Sequence, residues 1–122
     1  MPKKILVIDD EACILAATKR ILEQKGYFVS TASDGEAGLQ IALLESPDLV
    51  ILDLCLPKLP GEEVCKRIKI TEKTKNMPVI MLTGKISDTD KIIGKVIGAD
   101  YYMTKPFNIS ELLENISAVL KE

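Results

Sequence analysis

The chain alternates short apolar runs with longer stretches in which apolar residues return every three or four positions. Five runs stand out: Lys4–Ile8 (KILVI), Phe28–Ala32 (FVSTA), Leu49–Leu54 (LVILDL), Pro78–Thr83 (PVIMLT) and the shorter Asp100–Met103 (DYYM). The first, third and fourth are apolar nearly throughout, as strands covered on both faces of a parallel sheet must be. The second and fifth are more mixed, which suits edge strands. The stretches between them carry a helical period. Ile14, Thr18, Ile21 and Lys25 repeat on one face, with Leu15 and Leu22 beside them. Ala37, Ile41 and Leu44 line up next, then Val64 with Ile68, then Ile92, Ile93, Val96 and Ile97. Ile109, Leu112, Leu113, Ile116, Val119 and Leu120 form the cleanest stripe. Gly26, Pro47-Asp48 and Gly98 sit where helices should stop, and Asp10, Ser33 or Asp34, Asp88 and Asn108 are candidate N-caps.

Five strand-then-helix units predict an α/β fold: a doubly wound, parallel five-stranded (βα)5 sheet with right-handed crossovers and helices on both faces. The units leave no room for a linker, so residues 1–122 read as one domain. Gly94 falls inside the fourth helical stretch and costs about 1 kcal/mol relative to alanine, which marks that helix as the element expected to move.

Composition narrows the chemistry. Hydrophobic residues make up 47% of the chain, enough for a core and too many for a disordered segment. A net charge of −2 excludes the basic face of a dedicated nucleic-acid binder. There is no histidine, which removes imidazole bases, phosphohistidine and imidazole metal ligands. Cys13, Cys55 and Cys65 are odd in number and lack CxxC spacing, so they are expected to be buried free thiols. No signal peptide and no membrane span is apparent, and a cytoplasmic location is expected.

In an open parallel sheet, ligands bind beyond the carboxyl ends of the strands. Those ends carry Asp9-Asp10 after the first strand, Asp53 in the third, Thr83 in the fourth and Lys105-Pro106 after the fifth. Three carboxylates in one crevice repel unless a cation sits among them, and oxygen-only ligands suit Mg²⁺. A carboxylate beside such a cation can attack a phosphoryl group, with a lysine and a hydroxyl neutralising the transferred oxygens. Taken singly, each residue also has an ordinary reading. Asp10 is a helix cap, Asp53 a turn-facing aspartate, Thr83 a strand threonine and Lys105 a surface lysine.

The stretches KILVIDDE (Lys4–Glu11), VILDLCLPKLPGEEV (Val50–Val64), VIMLTG (Val79–Gly84) and GADYYMTKPF (Gly98–Phe107) together resemble the receiver domain of two-component response regulators, over the whole chain. The resemblance implies a flavodoxin-like strand order of 2-1-3-4-5. It implies Asp53 as phosphoacceptor, with Thr83 and Lys105 completing the catalytic set and Thr83 with Tyr102 as the switch pair. It implies Mg²⁺ or Mn²⁺ held by Asp10, Asp53 and the backbone carbonyl of Cys55, with Asp9 acting through water. The peptide before Pro106 falls where the family has a cis bond, and Gly61 matches the small residue closing the loop after Pro57. The implied partners are a sensor histidine kinase or a histidine phosphotransfer protein, met through the region of Cys13–Arg20 and Phe107–Asn108. An output partner or effector domain would read the surface near Gly94 and Tyr102.

Two positions depart from the common pattern. Cys55 and Lys85 flank the path of the hydrolytic water in receivers, and a weakly polar cysteine there predicts slow self-dephosphorylation. Lys85 is also placed to contact the phosphoryl group, and its more ordinary reading is a solvated loop lysine. Tyr101 and a last helix with Lys121 as its one basic residue argue against the salt-bridged dimer of many DNA-binding regulators. The chain reads either as a stand-alone receiver or as one domain of a longer regulator. Three other functions fit the sequence less well. An aspartate-nucleophile phosphatase needs DxDxT, but Asp53-Leu54-Cys55-Leu56-Pro57 lacks the second acid. A nucleotide- or flavin-binding module needs a glycine-rich phosphate loop, absent here. A phosphorylation-independent pseudo-receiver would not need Asp10, Asp53, Thr83 and Lys105 together.

Overall fold

The computed structural model describes residues 2–84, 98–105 and 107–122. In chain order the elements are β1 (Lys4–Ile8), α1 (Ala12–Gln24), β2 (Phe28–Ala32), α2 (Gly35–Glu45), β3 (Leu49–Asp53), α3 (Gly61–Ile70), β4 (Val79–Thr83), β5 (Tyr101–Thr104) and α4 (Ile109–Leu120). The expected helix around Ile92–Ile97, with its Asp88 cap and Gly94, lies outside the described residues, as do Lys85 and Pro106. The five strands form one parallel sheet in the order 2-1-3-4-5, with the mixed runs β2 and β5 at the edges.

Alternation along each strand feeds two cores, which is why the central runs are apolar throughout. Leu6, Ile8, Val50, Leu52, Val79 and Met81 pack on one face with Val64 and Ile68 of α3 and Ala42 of α2. Ile5, Val7, Leu49, Ile51, Ile80 and Leu82 pack on the other with Leu22 of α1 and with Leu112 and Ile116 of α4.

Several details differ from the sequence reading. The stripe of α1 that turns inward is Leu15, Thr18 and Leu22; Ile14 and Ile21 are half-buried, and Lys25 lies past the helix end in solvent. Leu44 is 80% exposed, because α2 approaches the sheet through Gly38 and Ala42 instead. At Gly38 an added Cβ would meet Ile8 Cδ1 at 2.4 Å, so the helix lies close on β1. Asp100 falls just before β5, and its carboxylate accepts hydrogen bonds from Val79 N (2.8 Å) and Lys69 Nζ (3.0 Å), tying the start of β5 to β4 and α3. Of the three free cysteines only Cys65 is buried; Cys13 and Cys55 are exposed. Asp34 and Asn108 cap their helices as expected.

Candidate functional site

The carboxyl ends of β1, β3, β4 and β5 bring the candidate residues to one edge of the sheet. A crevice there is lined by Asp10, Glu11, Asp53, Cys55, Gly84 and Lys105. Asp9, between Ile8 and the lining residue Asp10, has no exposure, and Thr83, 4% exposed, immediately precedes Gly84. Carboxylate oxygens of Asp9, Asp10 and Asp53 all lie within 4.8 Å of one another. The strand ends thus bring Asp53 against the adjacent pair Asp9 and Asp10, far from it in sequence.

Local geometry explains how each is held. Asp9 Oδ1 accepts from Glu11 N at 2.9 Å, forming the turn that leads into α1. This removes the ordinary reading of Asp10: the N-cap position of α1 is Glu11, which makes no side-chain cap bond, and Asp10 is left exposed at the crevice. Asp53 ends β3, and the chain then turns so that Gly61 comes against it. Gly61 N donates to Leu54 O at 2.9 Å, and a Cβ on Gly61 would stand 2.2 Å from the Asp53 carbonyl oxygen. Only glycine allows that approach. Lys105 N donates to Thr83 O at 2.7 Å, fixing the lysine backbone beside the end of β4.

Lys105 holds the acids together. Its Nζ lies 2.7 Å from Asp9 Oδ2, 3.2 Å from Asp53 Oδ2 and 3.3 Å from Glu11 Oε1. The Asp9 contact is a close ion pair; among the described residues no donor meets hydrogen-bond geometry at the buried Asp9 Oδ2. Burial pushes the Asp53 carboxyl above the ordinary aspartate range; Lys105 pulls it down and Asp9 pushes it up. The Lys105 ammonium is held well above the usual lysine range: desolvation opposes the charge, but the Asp9 and Asp53 carboxylates outweigh it.

Among the described residues, Asp9, Glu11 and Asp53 surround the Lys105 ammonium and Asp10 lines the same crevice, which leaves an excess of negative charge. All the side-chain donors are oxygens, one of them buried and without a hydrogen bond, and that set fits a hard divalent cation such as Mg²⁺. Glu11 is the participant the sequence reading passed over. Its only signal was its place directly after the acidic pair, since its partner is 94 positions away.

The response regulator receiver domain matches this chain over residues 5–117. The chain belongs to that family. It is 48% identical to the alkaline phosphatase synthesis transcriptional regulatory protein PhoP of Bacillus subtilis, over 99% of this chain and 50% of that protein. It is 45% identical to the DNA-binding dual master transcriptional regulator RpaA of Synechocystis, over 99% of this chain and 50% of that protein. The chain thus spans about half the length of the curated relatives it matches. Among solved structures, chemotaxis protein CheY4 of Vibrio cholerae superposes with a TM-score of 0.93 at 34% identity, covering 98% of this chain and 99% of that one. As a receiver domain it works in phosphorylation-dependent two-component signalling, as a phosphoacceptor switch and not an enzyme of the usual kind. Among the described residues no helix is long and apolar enough to cross a membrane.

Of the remaining expected site residues, Cys55 lies exposed at the crevice, its N–H 3.4 Å from Asp53 Oδ1. Tyr102 on β5 packs half-buried against the core that contains Met81, its register partner. Burial pushes the Cys65 thiol up to about 11, which leaves it protonated and unreactive.

Proposed function

We propose that residues 1–122 act as one receiver domain that accepts a phosphoryl group on Asp53 from a phosphohistidine. The carrying observation is the nearly buried Asp53 carboxylate at the end of β3, 3.2 Å from the Lys105 ammonium. An Asp53 carboxylate oxygen attacks phosphorus and the phosphorus–nitrogen bond of the donor breaks. The imidazole nitrogen keeps the bonding pair and takes up a proton from solvent. Lys105 and the Thr83 hydroxyl stabilise the transferred oxygens. Asp10, Asp53 and the Cys55 carbonyl would hold Mg²⁺ or Mn²⁺, with Asp9 acting through water. A divalent cation supplies positive charge against the phosphoryl oxygens.

The phosphorylated state binds Thr83 and Lys105 differently from the resting state, and that difference shifts the population toward an active arrangement in which Tyr102 turns inward. The donor is a sensor histidine kinase or histidine phosphotransfer protein in the cytoplasm. The readout is an output partner or effector domain, with no direct contact of this domain with nucleic acid or membrane.

Intact-mass analysis after acetyl phosphate or phosphoramidate with Mg²⁺ tests the reading. One Mg²⁺-dependent phosphoryl adduct, absent in Asp53→Asn, is expected. No adduct with either donor contradicts it and favours a phosphorylation-independent binding module.

A further inference from the structure

Glu11 occupies the N-cap position of α1 yet leaves the helix uncapped, and its carboxylate turns instead to Lys105 Nζ at 3.3 Å. Its backbone is pinned by the bond from Glu11 N to Asp9 Oδ1, so the side chain starts from a fixed place on the crevice rim. The Glu11 side chain is 60% exposed whereas that of Lys105 is 13% exposed. Of the three carboxylates that contact this ammonium, Glu11 is thus the solvent-exposed one, Asp9 and Asp53 being buried.

We propose that Glu11 is a positioning residue that restrains Lys105 in the resting state and discriminates among phosphodonors by charge. The inference rests on Asp53 being the phosphoacceptor. An incoming donor is an anion and must bring its phosphoryl oxygens to Lys105. Glu11 occupies one of the ammonium's contacts and places a negative charge at the entrance. Both effects oppose a small dianionic donor more than a less charged one. A kinase that neutralises Glu11 with a basic group at its docking surface would lift the restraint, so the residue favours the protein donor over free metabolites.

The test compares wild type, Glu11→Gln and Glu11→Lys, each full-length, with acetyl phosphate and with the less charged phosphoramidate. In water, one unit charge about 5 Å from the reacting group changes the rate about fourfold for a singly charged donor and about sixteenfold for a dianion. Glu11→Gln should therefore raise the phosphoramidate rate about fourfold and the acetyl phosphate rate by more than tenfold, and Glu11→Lys should raise both further. The gain should shrink as salt is raised from low to high ionic strength, which a purely structural role would not produce. Unchanged donor preference in a phosphorylatable protein overturns the Glu11 assignment alone. A slower rate with weakened Mg²⁺ binding in Glu11→Gln also overturns it, by making Glu11 a metal ligand. Failure of wild type to take a phosphoryl group from either donor overturns the Asp53 reading and this one with it.

Discussion

Lys105 Nζ lies closer to Asp9 Oδ2, at 2.7 Å, than to Asp53 Oδ2, at 3.2 Å. The lysine is thus anchored chiefly by the buried acid of β1 and reaches the β3 carboxylate from there. Lys105→Ala leaves two nearly buried carboxylates without their cation. It should cost about 2 kcal/mol at neutral pH by urea unfolding without divalent ions, and Asp53→Asn in the same chain should recover part of the loss. Additive effects of the two substitutions would contradict the shared anchoring.

Asp53 itself weakens the resting fold. Its carboxyl is raised above the ordinary range, chiefly by burial, so the folded state holds the proton more tightly than the unfolded chain. That contribution to stability is complete below the unfolded value and is lost as pH rises through the folded one. Asp53→Asn should therefore stabilise the metal-free protein near pH 7 by about 1 kcal/mol, a rise in melting temperature on the order of 4 °C, and by little near pH 3. Thermal melts at the two pH values decide it; an equal gain at both would show that charge is not the cause.

Much of this was legible in the chain, for physical reasons that also explain the misses. Strands buried on both faces need continuous apolar runs, so β1, β3 and β4 stand out, and a carboxylate at the end of LVILDL is conspicuous. On α1, Ile14–Ile21 and Leu15–Leu22 form two adjacent apolar stripes, and periodicity cannot say which one faces the sheet. On α2 the close approach of Gly38 to Ile8 decides the buried face, a matter of backbone distance that no apolar pattern records. Asp10 read as a cap because an aspartate before a helix usually is one. The turn closed by Asp9 Oδ1 takes that place, and the Glu11–Lys105 pair closes across the whole fold.

Gly61→Ala should cost roughly 2 kcal/mol, because the methyl group meets backbone at Asp53 O and Leu54 O and no flexible side chain can yield. Phosphorylation should slow as well, since relief of the clash moves Asp53. Denaturant unfolding and a donor time course check both, and a wild-type rate in a destabilised Gly61→Ala protein would separate the loop from the chemistry.

Mg²⁺ should stabilise the fold. At a free concentration tenfold above its dissociation constant the gain is about 1.4 kcal/mol, read as a rise in melting temperature. The rise should be strongly reduced in Asp10→Asn, whose exposed carboxylate makes no hydrogen bond or ion pair among the described residues. An undiminished rise in that variant would place the cation elsewhere.

Cys55 stands exposed at the crevice beside Asp53, where a water attacking the proposed phosphoaspartate would be oriented. Its weakly polar side chain should give a long-lived phosphoprotein. Cys55→Asn should speed the decay several-fold, followed by loss of the phosphoryl adduct over time; an unchanged or slower decay would contradict this.

The most direct test of the central claim is to locate the phosphoryl group. Borohydride reduces an aspartyl phosphate to homoserine, so the protein is phosphorylated by acetyl phosphate with Mg²⁺, reduced, digested and sequenced by mass spectrometry. Homoserine at position 53 alone is the predicted result. Homoserine at Asp9 or Asp10, or an adduct that leaves no homoserine, would contradict the account.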